Sequence, residues 1–166
     1  MSLTELISER PEHPVDIVEH VASHNRWAFE RNDIDEICLT IHGGWTDYQA
    51  NFTWLEDMES LHLGCAFDLR VPEGRRAEVL KLIAQINEQL WVGHFDLWPS
   101  ENVVMFRHSL LLTGNILASA DQCEALLKIG LQACERYYQA FQFVVWAGKS
   151  AREALSSAMF DTVGEA

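Results

Sequence analysis

Residues 77–112, AEVLKLIAQINEQLWVGHFDLWPSENVVMFRHSLLL, pass from helical to strand periodicity within one segment. Val79, Leu82, Ile83, Ile86 and Leu90 recur at three- and four-residue spacing, with Glu78, Lys81 and Glu88 off that stripe, which predicts an amphipathic helix. Gly93 is expected to stop it. Phe95 and Leu97 then begin a short strand, the PSEN turn from Pro99 to Asn102 reverses the chain, and a strand from Val103 to Leu112 returns beside it. Nothing in the stretch is arranged for chemistry. A helix with one apolar face next to a hairpin needs a sheet to pack on, and the flanking sequence supplies it.

Upstream, Leu61, Leu63, Cys65, Phe67, Leu69 and Val71 alternate with His62, Gly64, Ala66, Asp68 and Arg70, the two-residue period of a half-buried strand. Pro72 and Gly74 close it. Tyr48, Ala50, Phe52 and Trp54 give a second such strand, ended by the polar turn from Glu56 to Glu59. Ile37, Leu39 and Ile41 give a third, joined to the second through a Gly43-Gly44 hairpin turn. Before them Pro14, in a first turn, leads a helix carrying Val15, Val18, Val21 and Ala22 and ending near Asn25. Downstream, Asp121 and Glu124 resemble a capping pair for a long helix to Ala147, with Leu127, Leu131, Cys134, Tyr138, Phe141 and Val145 at helical period. Gly148 ends that helix, and Ser150 with Glu153 opens a last one through Leu155 and Met159. The fold class expected is α+β: one twisted antiparallel sheet packed with helices, in the order helix, strand meander, helix, strand pair, helices. No linker or repeat interrupts this order, so residues 1–166 read as one domain with flexible ends over about 1–12 and 161–166.

With 48% hydrophobic residues in 166, the chain can bury a sizeable core without staples. Its formal net charge of −13, with no basic run denser than Arg75-Arg76, argues against nucleic acid and against an anionic membrane surface. The start MSLTELISERPEH has no basic-then-apolar pattern and no apolar run is long enough to span a bilayer, so a cytoplasmic location is expected. Cys38, Cys65, Cys123 and Cys134 fit no zinc or redox spacing and read as buried thiols.

No nucleophile elbow, phosphate-binding glycine loop or metal motif occurs, and the expectation is a non-enzyme without cofactors. His20 and His24 share a helix face but lack a third ligand, so they read as a solvated edge; His42, His62 and His108 lie on strands whose pairing decides whether they meet on the sheet's second face. Asp68 with Glu73, and Asp33 with Asp35 and Glu36, read as turn and surface acids. Of six tryptophans, Trp54 and Trp146 suit the core, whereas Trp27, Trp45, Trp91 and Trp98 lie beside turns where full burial is harder. Trp91, His94, Phe95 and Trp98 form the candidate contact group for a protein or peptide partner. The second sheet face, with Cys38, Thr40, Gly64 and Ala66, suits coverage by a homodimer or a bound polypeptide. A rival reading is a small-molecule binder or enzyme with a tryptophan-lined pocket anchored by His62 or His108.

The segments LHLGCAFDLRVPEGRRAEVLKLI (61–83), INEQLWVGHFDLW (86–98), VVMFRHSLLLTG (103–114) and YYQAFQFVVWAGKSAREAL (137–155) together resemble the YbjN family, described as bacterial sensory-transduction regulators. The resemblance runs from about Trp27 to Ala154 and consists of packing residues and glycines. It implies a fold like that of type III secretion chaperones, which are small, acidic, usually dimeric and non-enzymatic, and which bind extended polypeptide along a sheet edge and hydrophobic patches. It carries no catalytic or ligand residue across to this chain.

Overall fold

The alternation of apolar and polar residues in the middle of the chain builds a six-stranded, wholly antiparallel sheet. In the computed structural model residues 10–164 are described, the side chains of 161–164 excepted. Helix α1 (Pro14–His24) is followed by β1 (Ala28–Asp33), β2 (Glu36–His42), β3 (Asp47–Leu55) and β4 (Ser60–Arg70), then α2 (Arg76–Asn87), β5 (His94–Trp98), β6 (Val103–Leu111), α3 (Ala120–Val145) and α4 (Ala151–Gly164). The strand order is β1-β2-β3-β4-β6-β5, so the second hairpin attaches to the meander through β6 and leaves β1 and β5 as edges.

One face of the sheet is buried: Ile37, Leu39, Tyr48, Ala50, Phe52, Leu61, Leu63, Phe67, Phe95, Val104 and Phe106 all point into a single core shared with α1, α2 and α3. Burying each of these large side chains is worth about 1.5–3 kcal/mol, so the alternation carries most of the fold's cohesion. Helix α3 lies close on the strands because it presents Gly130 there; a Cβ at that position would stand 3.0 Å from Leu63 Cδ2 and 3.3 Å from Phe106 Cδ1. Helix α4 packs on α3 and α2. Its first turn is tied down by Glu78 Oε2, which accepts from Ala151 N at 2.9 Å, and Arg75 donates to the Val144 and Lys149 carbonyls at the end of α3.

Several details differ from expectation, each for a local reason. Strand β1 is an additional element, illegible because nearly every residue in it is exposed and no apolar alternation marks it. Helix α3 is capped two residues before the expected pair: Ser119 Oγ accepts from Gln122 N at 3.0 Å while Gln122 Oε1 accepts from Ser119 N at 2.9 Å, a reciprocal capping box that displaces Asp121 and Glu124 from that role. Helix α2 ends at Asn87, not at Gly93. Gly93 has φ +70° in the turn before β5, where a Cβ would meet Phe106 Cζ at 2.2 Å. Gly43 and Gly44 do not have positive φ; Gly43 is required for space, since a Cβ would collide with Glu135 Oε1 and Tyr48 Cε2. Trp146, expected in the core, is 64% exposed because α3 ends beside it. Cys65, Cys123 and Cys134 are buried, but Cys38 is only half so, on the second sheet face. Of the ends expected to be flexible, residues 1–9 and 165–166 lie outside the described residues, while Arg10 is anchored by the Ile116 and Leu112 carbonyls and by Glu59 Oε1 at 2.8 Å. The last helix reaches Gly164.

Candidate protein-binding face

All four helices gather on one side, so the sheet's second face is uncovered among the described residues. The strand register lays its side chains out in rows. Glu30, Cys38, Asn51, Gly64, Arg107 and His94 run across the six strands, and the next row is Ala28, Thr40, Gln49, Ala66, Met105 and Asp96. Small and polar groups dominate. Cys38 Sγ and Thr40 Oγ1 both turn to Gln49 Oε1, at 3.2 and 3.3 Å, and burial with the nearby Glu30 carboxylate raises the Cys38 thiol pKa, keeping it protonated.

Toward the β5 edge this face acquires a polar centre. Arg107 Nε donates to His62 Nε2 at 3.1 Å, which leaves His62 neutral with its proton on Nδ1. Burial pushes the His62 pKa below the ordinary imidazole value, and the Arg107, His94 and His108 charges add to that. Arg107 Nη1 reaches Asp96 Oδ2 at 3.3 Å, and the guanidinium carbon stands 5.7 Å from the centre of the Trp98 ring. Gly64, directly opposite Arg107, is buried because the Met105 side chain folds over it: a Cβ there would press on Met105 Sδ at 2.9 Å.

Strand β5 sorts the expected contact group by its own alternation. His94 and Trp98 lie on the open face, Trp98 being 38% exposed, and Trp91 in the preceding turn is fully exposed. Phe95 is the correction. It is 1% exposed, pointing inward against Phe106, Tyr137 and Phe141, and supports the group from beneath instead of offering surface. The outer edge of β5 is occupied by side chains: Asn87 donates from Nδ2 to the Phe95 carbonyl at 3.0 Å and accepts from Phe95 N at Oδ1 at 2.8 Å, while Asp96 Oδ1 accepts from Leu97 N at 2.9 Å. No strand lies outside β1 among the described residues.

Residues 14–143 match the profile of a family described as "YbjN: Putative bacterial sensory transduction regulator". The chain belongs to the YbjN family. Among solved structures it is similar to YbjN from E. coli, with a TM-score of 0.53 at 9% identity over 73% of this chain and 85% of that one. It is similar to the ExsC–ExsE complex, TM-score 0.53 at 16% identity over 82% of this chain and 94% of that one. The HopA1–SchA chaperone–effector complex gives 0.50 at 11% identity over 74% and 89%. At such identities the likeness establishes the fold, the type III secretion chaperone-like architecture with an open antiparallel sheet. No curated protein matches the chain.

The remaining sequence candidates of this YbjN-family chain are dispersed. His62 and His94 share the open face; His42 is on it too but at the far β2–β3 end, 2.6 Å from Asp47, and His108, opposite Leu63, turns toward the helix side. His20 and His24 are exposed on α1, and His20 stands 3.9 Å from Glu12. Asp35 accepts from His13 Nε2 at 2.8 Å, and that ring's Nδ1 accepts from Val15 N at the start of α1. Trp27 packs on the core ahead of β1, and Trp45 is exposed on the β2–β3 turn, so neither joins Trp91 and Trp98. Two open depressions of about 430 and 470 Å³ lie over α4, lined by Lys149, Ser156 and Ser157 together with Phe143 and Phe160 or Arg152 and Glu153. Neither contains a tryptophan, His62 or His108. No helix among the described residues is long and apolar enough to cross a membrane. Arg107 was missed at the sequence level, although alternation through Val104 and Phe106 already places it on the open face.

Proposed function

We propose that this YbjN-family chain is a non-enzymatic protein-binding regulator of chaperone-like architecture that receives a partner polypeptide on its open sheet face. The observation that carries this reading is the six-stranded sheet covered by helices on one side only, with Trp98 and His94 on its bare side and the fully exposed Trp91 at its margin. Rigid aromatic side chains give contact area at small entropic cost, and a mixed face of small and polar residues accommodates backbone and side chains of another chain. The structural neighbours that contain two proteins, ExsC with ExsE and HopA1 with SchA, support a protein partner. An extended segment has two places to bind: side-chain contact on the open face and strand pairing at the β1 edge, since Asn87 and Asp96 occupy the β5 edge. A second copy of the chain is one such partner, and the setting is the cytoplasm of a bacterium.

The test is crosslinking in lysate of wild type and of the double variant Trp91→Ala, Trp98→Ala. Loss of a captured protein with an unchanged thermal transition supports the reading. Equal recovery removes the Trp91–Trp98 margin from it. Light scattering of the purified chain decides whether the partner is itself.

A further inference from the structure

The guanidinium of Arg107 is held in place but not consumed. Of its five N–H groups, the one on Nε goes to the neutral His62 ring and one on Nη1 to Asp96, at 3.3 Å the long end of a hydrogen bond. Nothing else among the described residues accepts from it. The remaining three donors, including both on Nη2, lie on a side chain one-third exposed, at the open face rather than at the rim of a loop. Several other cations are committed elsewhere: Arg10 to Glu59 and two carbonyls, Arg31 to Asp16, Arg75 to the end of α3, Lys81 to Glu78 and Lys128 to Glu124.

Resting on the protein-binding reading above, we propose that Arg107 and Trp98 form a carboxylate subsite of the open face: the free fork of the guanidinium takes a partner's carboxylate, and Trp98 packs against the apolar side chain next to it. A guanidinium fork matches the two oxygens of a carboxylate, and its orientation is already set by His62, so little freedom is lost on engagement. The absent side chain of Gly64 lets Met105 settle over β4 beside Arg107, where its thioether gives the subsite an apolar, adaptable neighbour. One guanidinium on a chain of net charge −13 favours a monoanion over a phosphate dianion, because the background repulsion grows with the ligand's charge. The charged and titratable groups on the face around the subsite are His62 on β4, Arg70 on β4 in the row of Trp98, His94 and Asp96 on β5 and Arg107 itself on β6. Asp96 is the internal competitor.

The experiment follows the Arg107 Nε–H and His62 ring signals by NMR while the full chain is titrated with acetyl-Leu-Ala-Leu as the free acid, the same peptide as its amide, acetyl-Leu-Glu-Leu amide, and inorganic phosphate. The free acid is expected to shift both signals and to bind about tenfold or more tighter than the amide, the size of a charge-assisted hydrogen-bond pair. Arg107→Gln abolishes the preference for acid over amide. Asp96→Asn tightens the acid about threefold, with the amide unchanged, the scale of one exposed charge pair, and it serves independently should Arg107→Gln not fold. A glutamate peptide that matches the free acid assigns the carboxylate to a side chain, and one that falls short assigns it to a chain terminus. Equal binding of acid and amide, an unaltered response in Asp96→Asn, or tighter binding of phosphate overturns the subsite while leaving peptide binding in place. Silence toward every peptide overturns both.

Discussion

Asn87, the last residue of α2, makes with one side chain both hydrogen bonds that an added strand would otherwise make to Phe95: its Nδ2 donates to the Phe95 carbonyl and its Oδ1 accepts from the Phe95 amide. An edge strand with free donors and acceptors is a template for unwanted pairing, and here a helix end covers it. Asn87→Ala is expected to lower stability by about 1–3 kcal/mol through the two unpaired backbone groups. It is also expected to raise concentration-dependent self-association. Urea denaturation and light scattering measure the two effects, and an unchanged association state would show that the edge is guarded by something else.

Gly93 tests the turn beneath the candidate face. Its φ of +70° and the 2.2 Å approach of a Cβ to Phe106 mean that Gly93→Ala suffers both backbone strain and overpacking. The expected loss is about 2–5 kcal/mol. Gly74→Ala, where a Cβ meets nothing within 4 Å, is the control, and the same thermal melts read both.

Trp91 makes the opposite case. Being fully exposed, it buries nothing in the fold, so Trp91→Ala is expected to change stability by no more than about 0.5 kcal/mol. A larger change in the denaturation midpoint would assign it a packing role.

Protonation of His62 and His108 gives the fold a pH dependence of definite sign. Burial is the main cause for both, and each titrates below the ordinary 6.5 in the folded chain. The unfolded chain therefore takes up protons first. Their contribution to stability is complete above about pH 6.5 and is lost as pH falls through that value toward the folded pKa values. Urea denaturation at pH 8 and pH 5.5 should show this decline, and His62→Gln should flatten it; an identical slope in the variant would place the effect elsewhere.

Glu59 organises the loop between β6 and α3. Its carboxylate accepts from the Asn115 and Gly114 amides and pairs with Arg10, and these hydrogen bonds, the two backbone ones foremost, hold its pKa below the ordinary carboxylate range. Glu59→Gln is expected to speed hydrogen exchange at the Gly114 and Asn115 amides while the amides of β3 and β4 keep their protection. Uniform acceleration through the sheet would contradict a local role.

The strands that were legible in the sequence, β2 to β6, are those with one face against helices, because burial on one side imposes the two-residue alternation. Strand β1 escaped because water reaches both its faces, and Phe29, Glu30 and Arg31 give no contrast to read. The site was half legible for the same reason. Alternation around Phe95 and Leu97 turns His94, Asp96 and Trp98 outward, which excludes Phe95 from a contact surface, and alternation around Val104 and Phe106 turns Arg107 outward. What alternation withholds is the register between β4, β6 and β5, and only that register brings His62 to Arg107; the alternation that turns Arg107 outward already sends His108 to the other side. Trp146 was misread because helical period continues up to a helix end that packing, not pattern, sets.

The unequal edges of the sheet have a consequence for growth. Linear polymerisation through strands needs two complementary sticky margins on every subunit, and Asn87 and Asp96 deny one of them. Among the described residues β1 is the edge left without such side-chain caps, and pairing there ends after a single event: two copies meeting at β1, or one copy meeting a foreign segment, leave nothing further to extend.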